Sequence, residues 1–291
     1  MDRVREYNPF ARRDSHGRKT LFAYRALGPL SWLVVVASSL YYTVAQPDRF
    51  FNESPVGSQI ELNPTLFSQS VIVTGIYWVI LLVSQLGYLA QLWSSNAEKL
   101  VAATNVAPYY VLNNIFVLAF TQLWIHSKIW EAEVIDIANL LSQGILYWKN
   151  PGLPTSIHLP AIAGPYAWTI SALFWNGAVA VPDVNALAKR VVASIFIWVF
   201  FFVGQGHIIH RSDHQFGYSV SLLSLSLALK QFSLKITSLQ WIFAFVIFGI
   251  FLVSSVNSSM TRYYNRSFFH RSRAEPEMLD REREPLLSGG E

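Results

Sequence analysis

Cysteine is absent from all 291 residues, which excludes disulfides, thiolate metal ligands and cysteine nucleophiles. Charge is almost as scarce: Asp, Glu, Lys and Arg make up 14% of the chain, against about a quarter in a soluble domain. Gly-rich phosphate loops, a G-x-S-x-G elbow and the arginine series of a voltage sensor are all missing. No internal repeat is visible, so an inverted-repeat transporter is not indicated. The net charge of +4 resides mainly in the tails, which argues against a nucleic-acid partner.

What the chain has instead is apolar length. Hydrophobic residues make up 52% of it. Between consecutive charges lie the windows 26–47, 62–97, 100–127, 150–182, 191–210, 214–229 and 236–261. All but 214–229 reach the about 20 residues that a helix needs to cross the hydrocarbon core. Adding a short-cored helix at 131–149, the pattern predicts eight helices, at 29–46, 69–93, 105–127, 131–149, 159–181, 191–210, 216–234 and 239–258. Trp32, Trp93, Trp124, Trp130, Trp148 and Trp241 fall near their ends, where an amphipathic ring suits the interface. With the N-terminus inside, 16 of the 22 Lys and Arg residues lie on the inner side, which favours both tails in the cytosol and an even number of spans. The fold class read from this is all-α, a polytopic membrane bundle of eight transmembrane helices. It divides into a basic N-tail over 1–28, the bundle over 29–258 and a cytosolic tail over 259–291. The N-tail is too long and charged for a cleaved signal peptide, and Asp2, Glu6 and Asp14 argue against a mitochondrial leader, so helix 1 reads as a retained anchor. Asn52 heads a glycosylation sequon in the first outer loop, in keeping with that orientation.

Polar groups within a span are functional candidates, because lipid cannot satisfy them. Glu133, Asp136, Asn139 and Gln143 recur at three, three and four residues, on one face of helix 4. They read either as an ion-coupling stripe lining a cavity or as acids favouring a helix N-terminus in the outer interface. Asn113, Asn114, Thr121 and Gln122 on helix 3 read chiefly as interhelical hydrogen-bond formers. His207, His210 and His214 would share a face if helix 6 ran through them, with His158 on the same side, which opens zinc-dependent hydrolysis as one reading. Contact with lipid headgroups, or capping of a helix end, is the other. Gly217, Ser221, Ser224 and Ala228 form a small-residue seam on helix 7 that lets a neighbour approach closely. Trp168 and Trp175 share a face beside Asn176, which reads either as an aromatic wall with one polar anchor or as packing.

Glu282, Leu286 and Leu287 lie in a charged tail and resemble the acidic dileucine signal that clathrin adaptors read on endosomal and vacuolar cargo. The other reading is an inert tail resting on the membrane. Helix 5, with His158-Leu159-Pro160 leading to Tyr166, Trp168 and Asn176, resembles the tryptophan-rich sensory/translocator protein group. Pro64 and Tyr77 in and before helix 2 and Trp124-Ile125-His126 in helix 3 extend the likeness over roughly 62–181, although Val73 stands where that group usually has Trp. The resemblance implies binding of porphyrin- or sterol-like ligands within the bundle. The opening Asn8-Pro9-Phe10-Ala11-Arg12-Arg13-Asp14 and the general plan also resemble a fungal multi-spanning family of uncharacterised function. The expectation is a non-enzymatic endomembrane protein of vacuolar or lysosomal type that binds or moves a lipophilic small molecule. Its contacts would be Tyr77, Trp124, Tyr166, Trp168 and Asn176, with membrane lipids and a clathrin adaptor as partners and no cofactor assigned. A proton- or cation-coupled transporter using the helix 4 acids, and a metal-dependent hydrolase, are the alternatives.

Overall fold

The computed structural model describes residues 8–44, 64–181, 187–235 and 239–264. Asn52 and the Glu282, Leu286, Leu287 signal lie outside the described residues. Within them the chain is all-α, with eight helices and no strand. These are α1 (Arg18–Val44), α2 (Val71–Gln91), α3 (Ala97–Ile125), α4 (Ile129–Lys149), a composite α5, α6 (Leu187–Arg211), α7 (His214–Leu234) and α8 (Gln240–Tyr264). Helix α5 joins an α turn (Thr155–His158), a π turn (Leu159–Ala163) and an α-helix (Gly164–Ala180).

Five helices, α1, α2, α3, α6 and α8, are long and apolar enough to cross a membrane. The chain is thus a multi-pass membrane protein. Of the remaining three, α5 and α7 are the more enclosed. Helix α7 packs against α2, α5, α6 and α8, and α5 against α2, α3, α4, α6 and α7. Since both turn little surface to lipid, Ser and Gln side chains on α7 meet protein instead of hydrocarbon. Helix α4 is amphipathic with the apolar side outward: Val134, Ile137, Leu141 and Ile145 are exposed, while Asp136, Asn139 and Gln143 are buried. Its hydropathy is low because its inner face is polar.

Several boundaries differ from the sequence expectation. Helix α1 begins at Arg18 rather than 29, so Arg18, Lys19 and Arg25 lie within its first turns. Helix α3 starts at Ala97, where the Asn96 side chain accepts the Lys99 N–H (3.0 Å) and caps the helix. The π turn in α5 was not foreseen. Pro165 has no N–H to return to the preceding turn, and Gly164 N–H reaches back to Leu159 O instead. The strain is absorbed by neighbours: Gln85 Nε2 donates to Pro160 O (3.4 Å) and Tyr77 Oη to Gly164 O (2.7 Å).

One non-helical stretch is buried. Residues 65–69 sit between α5, α7 and α8, their backbone satisfied by side-chain amides. Gln231 Nε2 donates to Thr65 O (2.9 Å) and Gln240 Nε2 to Leu66 O (3.2 Å). Gln69 Nε2 in turn donates to Ser171 Oγ (2.5 Å). Such backbone is tolerated at depth only where protein surrounds it.

Ser127, Ser212 and Lys235 take left-handed φ values of 58°, 49° and 50° at the turns after α3, α6 and α7. The seam on α7 is where the sequence placed it. Gly217 lies against Ser255 of α8, so close that a Cβ there would collide with it, and Ser221 Oγ donates to Phe248 O (3.4 Å). Replacing Gly217 by Val overpacks this contact and should cost about 1–3 kcal/mol. Thermal unfolding in detergent is the check: Gly217→Val should lower the midpoint clearly, and Gly206→Ala, which meets open space, should not.

Candidate functional site

The C-terminal end of α4 collects the polar and aromatic side chains of five helices. Arg211, the last residue of α6, places its guanidinium over Trp148 (4.6 Å) and Tyr147 (5.7 Å). Its Nη2 donates to Trp148 O (2.7 Å), so a cation from α6 satisfies the carbonyl end of α4. His207 Nδ1 donates to Val203 O (2.7 Å), which leaves Nε2 to accept from Tyr166 Oη (3.1 Å). Tyr147 stacks on Tyr166 with ring centroids 5.0 Å apart.

Beside this cluster, Asp213 bridges α5 and α7. Its Oδ1 caps α7 by accepting from Gln215 N (3.0 Å) and Phe216 N (3.1 Å). Its Oδ2 lies 2.7 Å from His158 Nε2, an ion pair when the imidazole is protonated. Burial alone would raise the Asp213 pKa. The His158 hydrogen bond and charge and the Phe216 N–H outweigh it, holding the carboxyl below its ordinary value.

The three histidines do not converge. Helix α6 ends at Arg211, the chain turns through the left-handed Ser212, and His214 begins α7. His207 faces Tyr166, His210 packs on Trp148 at 5.7 Å, and His214 on Tyr263 at 5.5 Å. Among the described residues no group of three His, Cys, Asp or Glu side chains could hold a metal ion. The condition on which His207, His210 and His214 would share a face, a helix running through all three, is not met.

Four of the five proposed ligand contacts are occupied by protein. Tyr77 stacks on Trp168 at 6.3 Å, Trp168 meets Trp175 at 6.2 Å, and Trp175 meets Trp124 at 4.4 Å. The seven-residue spacing of Trp168 and Trp175 does bring their rings together, as packing. Asn176 Nδ2 donates to Glu133 Oε2 (2.7 Å) and to Ile129 O (3.2 Å), tying α5 to α4. The amides of α3 are likewise interhelical: Asn113 Oδ1 accepts from Asn139 Nδ2 (3.1 Å), Asn114 Nδ2 donates to Ser31 Oγ (3.0 Å), and Gln122 Oε1 accepts from Tyr42 Oη (3.2 Å).

Of the five, Tyr166 borders a groove. A groove of about 800 Å³ runs between α4, α5 and α6, almost wholly apolar, with Leu141, Gly144, Ile170, Phe174, Phe196 and Val199 in its walls and Tyr166, Trp148 and Lys149 at one end. Lys149 also borders a second hollow of about 500 Å³, which is polar and basic: Arg12, Arg13 and Lys149 line it with Asn8, Asn105 and Asn150. The N-terminal segment builds that hollow by docking on α3. Phe10 packs edge-on against Tyr109 at 4.8 Å, Asn105 Oδ1 accepts from Arg13 N (3.0 Å), and Asn105 Nδ2 donates to Arg13 O (2.9 Å). Sequence reasoning missed both cavities. The opening Asn-Pro-Phe segment was the one available signal for the second.

Residues 190–287 match the model of a family described as a fungal protein of unknown function (DUF1774). No curated protein and no solved structure matches the chain. The matched stretch takes in α6, α7 and α8, so α6 brings one groove wall into it, while α4, α5 and the basic hollow lie before it. The likeness of helices 2 to 5 to the translocator group rests on the residue pattern alone.

The Asp213 arrangement has a testable pH sign. A carboxyl whose folded pKa is depressed adds stability above its unfolded pKa of about 4 and loses it as pH falls through that region. Between pH 6 and pH 3 the unfolding midpoint should therefore fall more steeply in the wild type than in Asp213→Asn, which keeps a competent cap. Equal slopes would contradict the assignment.

Proposed function

We propose that the chain is a non-enzymatic endomembrane protein of eight spans, with both termini in the cytosol, that binds or moves a lipophilic small molecule. The observation that carries this reading is that Lys149 borders two cavities: an apolar groove of about 800 Å³ and a hollow lined by three cations. Basic pockets between helices near the cytosolic side suit anionic headgroups. The ligand class that matches is an amphiphile with an anionic head, its tail in the α4–α5–α6 groove and its head toward Lys149, Arg12 and Arg13. This moves the binding site off the aromatic ladder, whose rings fill their own space, to the adjoining face of α4 and α5.

Two observations support the topology. Sixteen of the 22 basic residues fall on the inner side in an eight-span arrangement. The N-terminal Arg12 and Arg13 also lie at the same end of the bundle as Arg262 of α8, since Asn150 borders the hollows of both groups. The Glu282, Leu286, Leu287 tail would then be available to a cytosolic adaptor and direct the protein to a vacuolar or lysosomal-type membrane.

The ligand is tested by purifying the full chain in mild detergent and identifying co-purifying lipids by mass spectrometry. One anionic amphiphile should be enriched over bulk lipid. Gly144→Leu, which projects into the groove, should cut its recovery by about tenfold, equivalent to about 1.4 kcal/mol. Lys149→Ala should weaken it by about fivefold, the worth of one cation near an anionic lipid. Recovery unchanged in Gly144→Leu would remove the groove from consideration. Replacing Leu286 and Leu287 by Ala should shift a fluorescent fusion from the vacuolar membrane to the cell surface, and unchanged placement would count against the sorting role.

A further inference from the structure

A second feature is independent of the groove. Helix α4 carries along its inner face a file of polar side chains whose hydrogen-bonding capacity the protein does not fill. Asp136 is 4% exposed and Gln143 0% exposed, with Asn139 at 3% and Asn176, from α5, at 0%. Asp136 Oδ2, Asn139 Oδ1, Asn176 Oδ1 and both Gln143 amide atoms have no hydrogen-bond partner. Native proteins seldom leave buried polar atoms unpaired, and each such case calls for an explanation. Here five such atoms lie along one file.

The chemistry of the file points one way. The unpaired atoms are mostly oxygens, and the face also carries the carboxyls of Glu133 and Asp136. Among the described residues no basic side chain forms an ion pair with them. Between Lys99 and His126 helix α3 has none, and after His158 helix α5 has none. Those are the two helices packed most extensively on α4. Along α4 itself Lys128 precedes the helix and Lys149 ends it, so both cations lie at its ends. Glu133 is engaged by Asn176 Nδ2, and it rests against Gly177, where a Cβ would come within 3.1 Å of its Oε1. Asn139 donates to Asn113 with its Nδ2, which leaves its carbonyl oxygen for another donor or cation. A buried carboxyl without a basic neighbour needs either a proton or a bound cation, because the bare ion is poorly solvated in such a place.

We propose that Asp136 is the centre of an intramembrane site for a single positive charge, a proton or a sodium ion, held by the side-chain oxygens of Asp136 and Asn139 with Glu133 and Asn176 beside them. Gln143 continues the file about 10 Å further along the helix axis, at 1.5 Å per residue, toward the Lys149 end. The site lies on the opposite side of α4 from Leu141 and Ile145, which face outward. Occupancy of the groove and of this site are therefore separate events that one helix could connect.

The test uses the full-length wild type and Asp136→Asn, purified in detergent. Binding of radioactive sodium is measured, and infrared difference spectra are recorded for the carbonyl stretch of a protonated carboxyl at neutral pH. Saturable sodium binding that falls at least tenfold in Asp136→Asn identifies sodium as the occupant. A protonated-carboxyl band without sodium binding, lost in Asp136→Asn, identifies the proton. Neither signal in the wild type, or signals unchanged in the variant, overturns the proposal. Should Asp136→Asn fail to elute as a single species, Asn139→Leu replaces it. Loss of that partner must weaken sodium binding by about tenfold or shift the carboxyl band, and no change in either again overturns the site.

Discussion

Hydrocarbon offers no hydrogen bonds, so every polar group in the bundle must be answered by another part of the chain. The arrangement of the helices follows from that constraint. The five apolar helices include α1, α2 and α8, whose outer faces are rows of exposed Ile, Leu, Val and Phe. The helices that carry amides, hydroxyls and carboxyls stand further inside, where α7 meets four neighbours and α5 meets five. Helix α4 belongs to both groups, with an apolar row to the outside and a polar row to the inside.

The two ends of the bundle meet the constraint differently. At the end where α4 begins, buried glutamines take over the backbone of residues 65–69, and Asn176 ties α5 to the first turns of α4. At the end where α4 stops the answering groups are charged or aromatic: Arg211 closes α4, Asp213 opens α7 and holds His158, and Tyr166 meets His207. Two hollows adjoin that second end, one apolar and one basic, and they share Lys149. The middle of α4 is one place where the constraint is left unmet, at Asp136, Asn139 and Gln143.

Much of this could be read from the residues. Scarce charge separates the helices in order, and the three, three and four spacing of Glu133, Asp136, Asn139 and Gln143 puts them on the face where they are found, pointing inward. The α3 amides and the α7 seam also act as their chemistry implies. What could not be read depends on contacts between distant segments. Nothing local in Thr65 to Gln69 announces that Gln231 and Gln240 will hold their backbone. The π turn depends on donors supplied by α2, and the groove on α6 lying beside α4, which chain order does not dictate. The histidines diverge because a single left-handed residue, Ser212, turns the chain after Arg211, so the continuous helix that the pattern also allowed does not form. The aromatic face of α5 was legible as a face, but ring packing from α2 and α3 decides that it is filled.

The central claim is that α4 crosses the membrane despite its polar face. Because the chain has no cysteine, each introduced thiol is the only one present. Single cysteines in place of Glu131 and Asn150, at opposite ends of α4, can be labelled in sealed vesicles with a membrane-impermeant maleimide. The account predicts that the two sites react from opposite sides of the membrane. Reaction of both from the same side would mean that α4 does not span, and would contradict the eight-helix topology and the intramembrane site together.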